Sequence, residues 1–212
     1  MEEPRSWHPE VISPAVAKTV ETLGAVPALR DFYLAGGTAL ALYLGHRRSV
    51  DLDFFCPQPF NEDALIASLR RVPDLVVISK SPQAVYLHVA GAKVSFIGYQ
   101  YPQLFPLTDF QGLRVADVRD IACMKLSALA SRGSRRDFVD LYVVARQYGI
   151  PELLELFQRK FAQANYNLLH VRKSLPYFAE AEKEPMPDML VPLSWEDVKQ
   201  LFLDEARKLQ RS

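Results

Sequence analysis

Asp51 and Asp53 flank Leu52 in the run Val50-Asp51-Leu52-Asp53-Phe54-Phe55. The alternation predicts a strand, in which residues i and i+2 share a face about 7 Å apart. Two carboxylates held side by side repel unless a cation sits between them. Mg²⁺ suits such a pair, since it takes one or two carboxylates and completes its shell with water and substrate phosphates. Upstream lies Gly36-Gly37-Thr38, a turn at a helix start that would offer backbone N–H groups and a hydroxyl to phosphate. Asp-x-Asp alone reads as a solvated strand edge. With Gly-Gly-Thr before it, the metal-and-phosphate reading takes precedence. Between the two motifs runs His46-Arg47-Arg48-Ser49, whose arginines are candidates to orient a triphosphate.

Three further features lie downstream. At 100° per residue, Val118, Ile121, Ala122, Ala128 and Leu129 fall within about 60° of Lys125 on a predicted helix over 117–132. A lysine in the middle of an apolar stripe either snorkels to a rim or meets a buried anion, a carboxylate or a nucleotide phosphate. Asp137 and Asp140 are i, i+3 neighbours on the next helix. Asp137 also fits a capping box with Ser134, and Arg136 is spaced to pair with Asp140. The run Arg132-Gly133-Ser134-Arg135-Arg136 is a solvated basic turn by default, or a grip for a triphosphate or RNA backbone beside an acidic site. His8, His46, His88 and His170 have no ligand spacing, and neither cysteine has a histidine partner motif.

The elements that must position these residues follow from the periodicity. A helix carrying Val11, Ile12, Val16, Val20 and Leu23 is expected to stop at Gly24. An apolar run from Phe32 to Ala35 precedes Gly36-Gly37, and Thr38 is expected to cap a helix closed by Gly45. After the Asp51–Phe55 strand, Asn61 or Asp63 opens a helix to about Arg71. Strands are expected at 75–79, 84–89 and 93–97, with a tight turn at Gly91. Beyond the proline-containing segment 101–109 the pattern becomes helical. Helices are expected from Asp117 to Arg132, from Ser134 to Gln147, from Pro151, and from Ser194 to the end. The expected fold class is α+β, a mixed α/β lobe over 1–112 and a helical lobe over 113–212 that together form one compact unit.

Composition bounds the function. Of 212 residues, 25 are Lys or Arg and 25 are Asp or Glu, a formal net charge of zero that excludes a uniformly basic nucleic-acid coat. Two cysteines are too few for a disulfide framework or a zinc site and point to a reducing compartment. No apolar stretch is long enough to span a membrane and the first residues are polar, so a cytoplasmic protein with no membrane partner is expected.

Gly36-Gly37-Thr38, then His46-Arg47-x-Ser49-x-Asp51-Leu52-Asp53, resembles the AbiEii/AbiGii toxin family of the DNA polymerase β-like nucleotidyltransferase superfamily. Asp120-Ile-Ala-x-Met-Lys125 and Arg132-Gly-x-x-Arg136-Asp137-Phe-x-Asp140 resemble that family's later motifs, so the likeness spans about residues 30–150. It implies a nucleotidyltransferase-like mixed sheet with flanking helices and a helical C-terminal lobe. It further implies Mg²⁺ on Asp51 and Asp53, NTP phosphates on Gly36, Gly37 and Thr38, Lys125 near the nucleotide, and Asp140, with Asp137 adjacent, as the last acidic motif residue. Arg47, Arg48, Ser49, Arg132 and Arg136 complete the expected nucleotide-binding set, with Asp51, Asp53, Lys125 and Asp140 as catalytic residues. The implied partners are an NTP, a tRNA acceptor in some members, and a cognate antitoxin. One departure is legible: superfamily enzymes place a third carboxylate on a later strand, where this chain has Ser95. That leaves two other readings, a nucleotide- or partner-binding protein that has lost catalysis, and a transferase acting on a small antibiotic-type acceptor.

Overall fold

The computed structural model describes residues 6–164 and 166–209. The chain divides after Asp117 into two compact units. The first is built on a seven-stranded mixed sheet: β1 (Tyr33–Ala35), β2 (Asp51–Cys56), β3 (Leu75–Ser81), β4 (Ala84–Val89), β5 (Ala92–Gly98), β6 (Thr108–Phe110) and β7 (Leu113–Val115). Their order across the sheet is β3-β4-β5-β2-β1-β7-β6. Around it lie α1 (Pro14–Gly24), α2 (Gly36–Leu44) and α3 (Glu62–Ser68).

Strand alternation gives the central sheet two unlike faces. On one, Leu52 and Phe54 of β2, Val94 and Phe96 of β5, and Val85 and Leu87 of β4 are buried. Phe54 stacks on Phe96 at 5.1 Å, and Phe32 meets Phe96 edge-on at 5.1 Å. The Thr19 hydroxyl of α1 donates to the Val89 carbonyl at 3.0 Å, fixing that helix to the end of β4. The opposite face carries Asp51 and Asp53, in register with Lys93 and Ser95 of β5, which are in register with His88 and Tyr86 of β4.

Local chemistry explains where several elements begin and end. The first helix starts later than the apolar spacing suggests. Ser13 caps it and Pro14 takes its first turn, so Val11 and Ile12 belong to a separate short turn. Proline lacks an N–H and is tolerated at a helix start but not inside. Asn61 caps α3 by accepting from the Ala64 N–H at 2.8 Å. The hairpin β6–β7 was not expected from the sequence. Its strands are three residues each, too short for alternation to register, and its turn uses Gln111 and Gly112 at φ +52° and +82°. Gly24 ends α1 against that turn; a Cβ there would lie 2.1 Å from the Gln111 carbonyl oxygen, so only glycine fits.

The second unit is helical: α4 (Val118–Ser131), α5 (Arg135–Tyr148), α6 (Ile150–Lys160), α7 (Leu168–Ser174) and α8 (Trp195–Leu209). Ser134 caps α5 by accepting from the Asp137 N–H, and Ser194 stands 3.1 Å from the Asp197 N–H before α8. Pro151 sits in the first turn of α6. The short helix α7, capped by Asn167, was not expected, because seven residues carry too little periodicity to stand out. The fully buried Phe138 of α5 meets Phe178, Trp195 and Phe202 with ring centroids 5.0, 5.8 and 5.1 Å away. Lys160 and Asp120 form an ion pair of 2.6 Å between two fully buried side chains. The last three residues of the expected C-terminal helix lie outside the described residues. No helix among the described residues is long and apolar enough to cross a membrane.

Candidate active site

The sheet-and-helix unit brings Gly36, Asp51 and Asp53 together. Ala35 at the end of β1 is in register with Asp53, so Gly36, the next residue, emerges beside that carboxylate. Gly36 has φ +73°, and a Cβ there would lie 3.1 Å from Asp53 Oδ2. Both the backbone conformation and the close approach call for glycine. Gly36 and Gly37 open α2, whose first N–H groups have no intrahelical acceptor and are available to an anion.

Thr38 does not cap this helix; Ala35 occupies the cap position. The Thr38 hydroxyl is buried and donates to the Asp51 carbonyl, with the Ser49 hydroxyl 2.7 Å away. These contacts tie the start of α2 to the start of β2, which fixes the glycine turn against the carboxylates. Arg47 is buried and donates from Nη1 to the Arg48 carbonyl at 3.0 Å, so part of its guanidinium holds its own loop. Arg48 is exposed on the same loop.

Asp51 and Asp53 open into a cleft of about 520 Å³ on the polar face of the sheet, lined also by Ile78, Tyr86, His88, Lys93 and Ser95. Ser95 stands in register beside Asp53 and donates to its Oδ1 at 2.6 Å. The position where a third acid would add charge therefore carries a neutral donor that orients Asp53. The Asp51 side chain has no hydrogen-bond or ion-pair partner among the described residues. No cluster of three His, Cys, Asp or Glu side chains suited to a metal occurs among the described residues. Two carboxylates on one strand face, one of them uncommitted, fit a hard divalent cation that keeps water and takes substrate phosphates. They do not fit a closed structural metal cage.

The helical unit gathers the later motif residues into a buried ion cluster. Lys125 Nζ lies 2.9 Å from Asp137 Oδ1 and 2.7 Å from Asp140 Oδ2, and both acids are fully buried. Arg132 donates to Asp137 through Nε at 2.8 Å and Nη2 at 3.1 Å, and Ser134 donates at 2.7 Å. Burial opposes charge on Asp137, but the Lys125 charge and the Arg132 hydrogen bonds outweigh it and hold the carboxyl down at about 2. Burial would likewise lower Lys125, yet Asp140 and Asp137 keep it above the usual lysine value. The lysine in the apolar stripe thus meets a buried anion rather than snorkelling. Arg136 is exposed, and Asp140 is paired with Lys125 instead of with it.

Tyr86, Lys93 and Ile78 carry no signal of their own in the sequence, and His88 stands out there only as a histidine without ligand spacing. Alternation puts them on one face of their strands, but only the pairing register places that face beside Asp51 and Asp53.

A seven-stranded mixed sheet with a glycine turn abutting a paired aspartate strand, followed by a helical unit, defines the nucleotidyltransferase class. The profile described as nucleotidyl transferase AbiEii toxin, type IV toxin–antitoxin system, matches residues 20–211. The chain belongs to this AbiEii family of nucleotidyltransferase toxins. It is 34% identical over 191 residues to an uncharacterized protein of Aquifex aeolicus (strain VF5), covering 87% of this chain and 91% of the relative. Among solved structures it resembles MenT4, a nucleotidyltransferase toxin of Mycobacterium tuberculosis H37Rv, with TM-score 0.60 and 17% identity over 92% of this chain and 82% of that one. It also resembles the antibiotic-resistance factor ANT(2'')-Ia, with TM-score 0.52 and 12% identity over 70% of this chain and 91% of that one. At such identities the two structures speak for the shared fold.

Proposed function

We propose that the chain transfers a nucleotide from an NTP to the hydroxyl of a tRNA acceptor, with Mg²⁺, as the cytoplasmic toxin of a toxin–antitoxin pair. The observation that carries this reading is the abutment of Gly36 on Asp53, which sets a phosphate-binding helix start against the metal-binding pair. Asp51 and Asp53 would hold Mg²⁺, which when bound would neutralise phosphate charge and polarise the α-phosphorus. The N–H groups at the start of α2, with Arg48 from the neighbouring loop, take the β- and γ-phosphates. The acceptor oxygen bonds to the α-phosphorus, the bond to the bridging oxygen breaks, and pyrophosphate leaves with the electron pair. The hydroxyl proton passes to water in the cleft. Ser95 keeps Asp53 aimed throughout. The pairing of Asp140 with Lys125 supports a role for Asp140 in holding that lysine within the helical unit.

The test is incubation with each radiolabelled NTP, Mg²⁺ and total tRNA, comparing the wild type with Asp53→Ala. Label on tRNA from the wild type and none from the variant is expected. Ser95 at the position of a third acid favours a second reading, a nucleotide-binding protein without transfer. NTP binding with no label moved under any divalent metal would select it.

A further inference from the structure

The cleft beside Asp51 and Asp53 is asymmetric. On one side of β2 lie β1 and the start of α2; on the other lie β5 and β4. If the triphosphate rests at Gly36 and Gly37, pyrophosphate departs on the β1 side. Phosphoryl transfer runs roughly in line, so the attacking hydroxyl arrives from the opposite side, over Ser95 of β5. This step rests on the nucleotidyltransferase reading above. Directly beyond Ser95, in register with it, stands Tyr86, two strands and about 10 Å from Asp53.

Tyr86 is 43% exposed on β4, one strand in from the sheet edge, and neither its ring nor its hydroxyl has a partner among the described residues. Ile78, at the slip in the β3–β4 ladder, is 55% exposed and lines the same cleft. Next to Tyr86 along the sheet, Lys93 is in register with both Asp51 and His88. The Lys93 ammonium is also uncommitted among the described residues. The acceptor side of the cleft therefore presents an aromatic plane, an aliphatic neighbour and a cation. Among the described residues that line it, the only carboxylates are Asp51 and Asp53.

We infer that Tyr86 and Lys93 form the acceptor subsite: the terminal base of a single-stranded 3′ end stacks on Tyr86, and Lys93 meets the phosphate that precedes it. A base has a π-face for the exposed ring, and a phosphate answers the free ammonium. A polycationic aminoglycoside matches neither, because it would need carboxylates where this surface has Lys93. Tyr86 and Lys93 are positioning residues and take no part in bond making.

The experiment compares the wild type with Tyr86→Ala, Tyr86→Phe and Lys93→Gln in two measurements. The first is binding of a short fluorescein-labelled single-stranded RNA with a free 3′ hydroxyl, measured by anisotropy in EDTA. The second is label transfer to total tRNA, with KM taken separately for NTP and for tRNA. Tyr86→Ala should weaken RNA binding and raise the tRNA KM by roughly ten-fold or more, leaving the NTP KM unchanged. Tyr86→Phe should retain both. Lys93→Gln should weaken binding and flatten its salt dependence by about one counterion. Unaltered RNA binding in Tyr86→Ala, an effect confined to the NTP KM, or better labelling of kanamycin than of tRNA would overturn the proposal. Should the wild type transfer nothing, the binding arm still decides the subsite, and the failure belongs to the transfer reading alone.

Discussion

Replacing Lys125 with methionine keeps the length of the side chain and its apolar stem while removing the charge that Asp137 and Asp140 share. Both acids are fully buried, and each lies within 2.9 Å of the ammonium. Breaking a buried pair from one side costs about 3–5 kcal/mol, because it strands charge in a medium that cannot solvate it. A typical domain has about 5–15 kcal/mol in all. With a urea slope of roughly 2 kcal/mol per molar, the unfolding midpoint of K125M should fall by about 2 M. Asp137→Asn should relieve part of that loss, so the double variant loses less than the two single losses added. The pH dependence gives an independent check. Asp137 titrates at about 2 in the folded chain against an ordinary 3.8. A depressed carboxyl stabilises the fold fully above the ordinary value and stops doing so as pH falls through the folded one. Asp137 therefore contributes about 2 kcal/mol that disappears between roughly pH 4 and pH 2. Lys125 is raised, so its share is complete below 10.5 and is lost only as pH climbs through its higher folded value. In K125M the acid loss should shrink, since Arg132 alone remains as the cation on Asp137. Urea titrations at pH 7 and an acid titration by circular dichroism measure both effects. A K125M midpoint within experimental error of the wild type, or additive losses in the double variant, would refute the buried-cluster argument.

Gly36→Ala should leave the fold within about 1–2 kcal/mol of wild type, the cost of a side chain at φ +73°. It should nevertheless reduce label transfer at least ten-fold, because the new methyl group presses on Asp53 Oδ2; full activity would remove Gly36 from the site. Cys56 and Cys123 are both buried, with burial pushing the first thiol up and the second up to about 12. A thiol reagent such as DTNB at pH 8 should find neither in the native protein and both in guanidinium, and fast native labelling would contradict their placement. Lys160→Met alone should destabilise by about 3–5 kcal/mol, whereas Lys160→Met with Asp120→Leu should fall close to wild type. Equal losses in the single and double variants, measured by thermal unfolding, would show that the site cannot repack.

The parts of the molecule that could be read from the chain are those where one residue type has one physical use. Asp51 and Asp53 spaced by two can only share a strand face, and Asn61, Ser134 and Ser194 announce helix starts by their side-chain acceptors. Lys125 was visible as an anomaly because charge inside an apolar stripe needs an explanation. Its partners were legible only as neighbours of one another, since nothing local says that α4 packs on α5 at that height. Thr38 misled because a hydroxyl near a helix start caps it in most settings, and here the strand carbonyl of Asp51 wins the bond. The β6–β7 hairpin and α7 were hidden by their shortness. The cleft face of β4 and β5 was hidden for a different reason: a period-two pattern says which residues share a face, while register across strands depends on the whole sheet.

The sheet order also sets when the site can exist. β2 takes its parallel partner from β5, and Leu34 of β1, two residues before the glycine that touches Asp53, pairs with Val115 at the far end of the unit. Such non-local pairings are late events, because the loop between them must close before the contacts return anything. A growing chain that has already made both aspartates and the glycine turn still lacks the strands that hold them in register. The geometry at Asp53 is thus completed only once the polypeptide through Val115 is available to fold, and shorter fragments, whatever motifs they contain, carry the residues without the site.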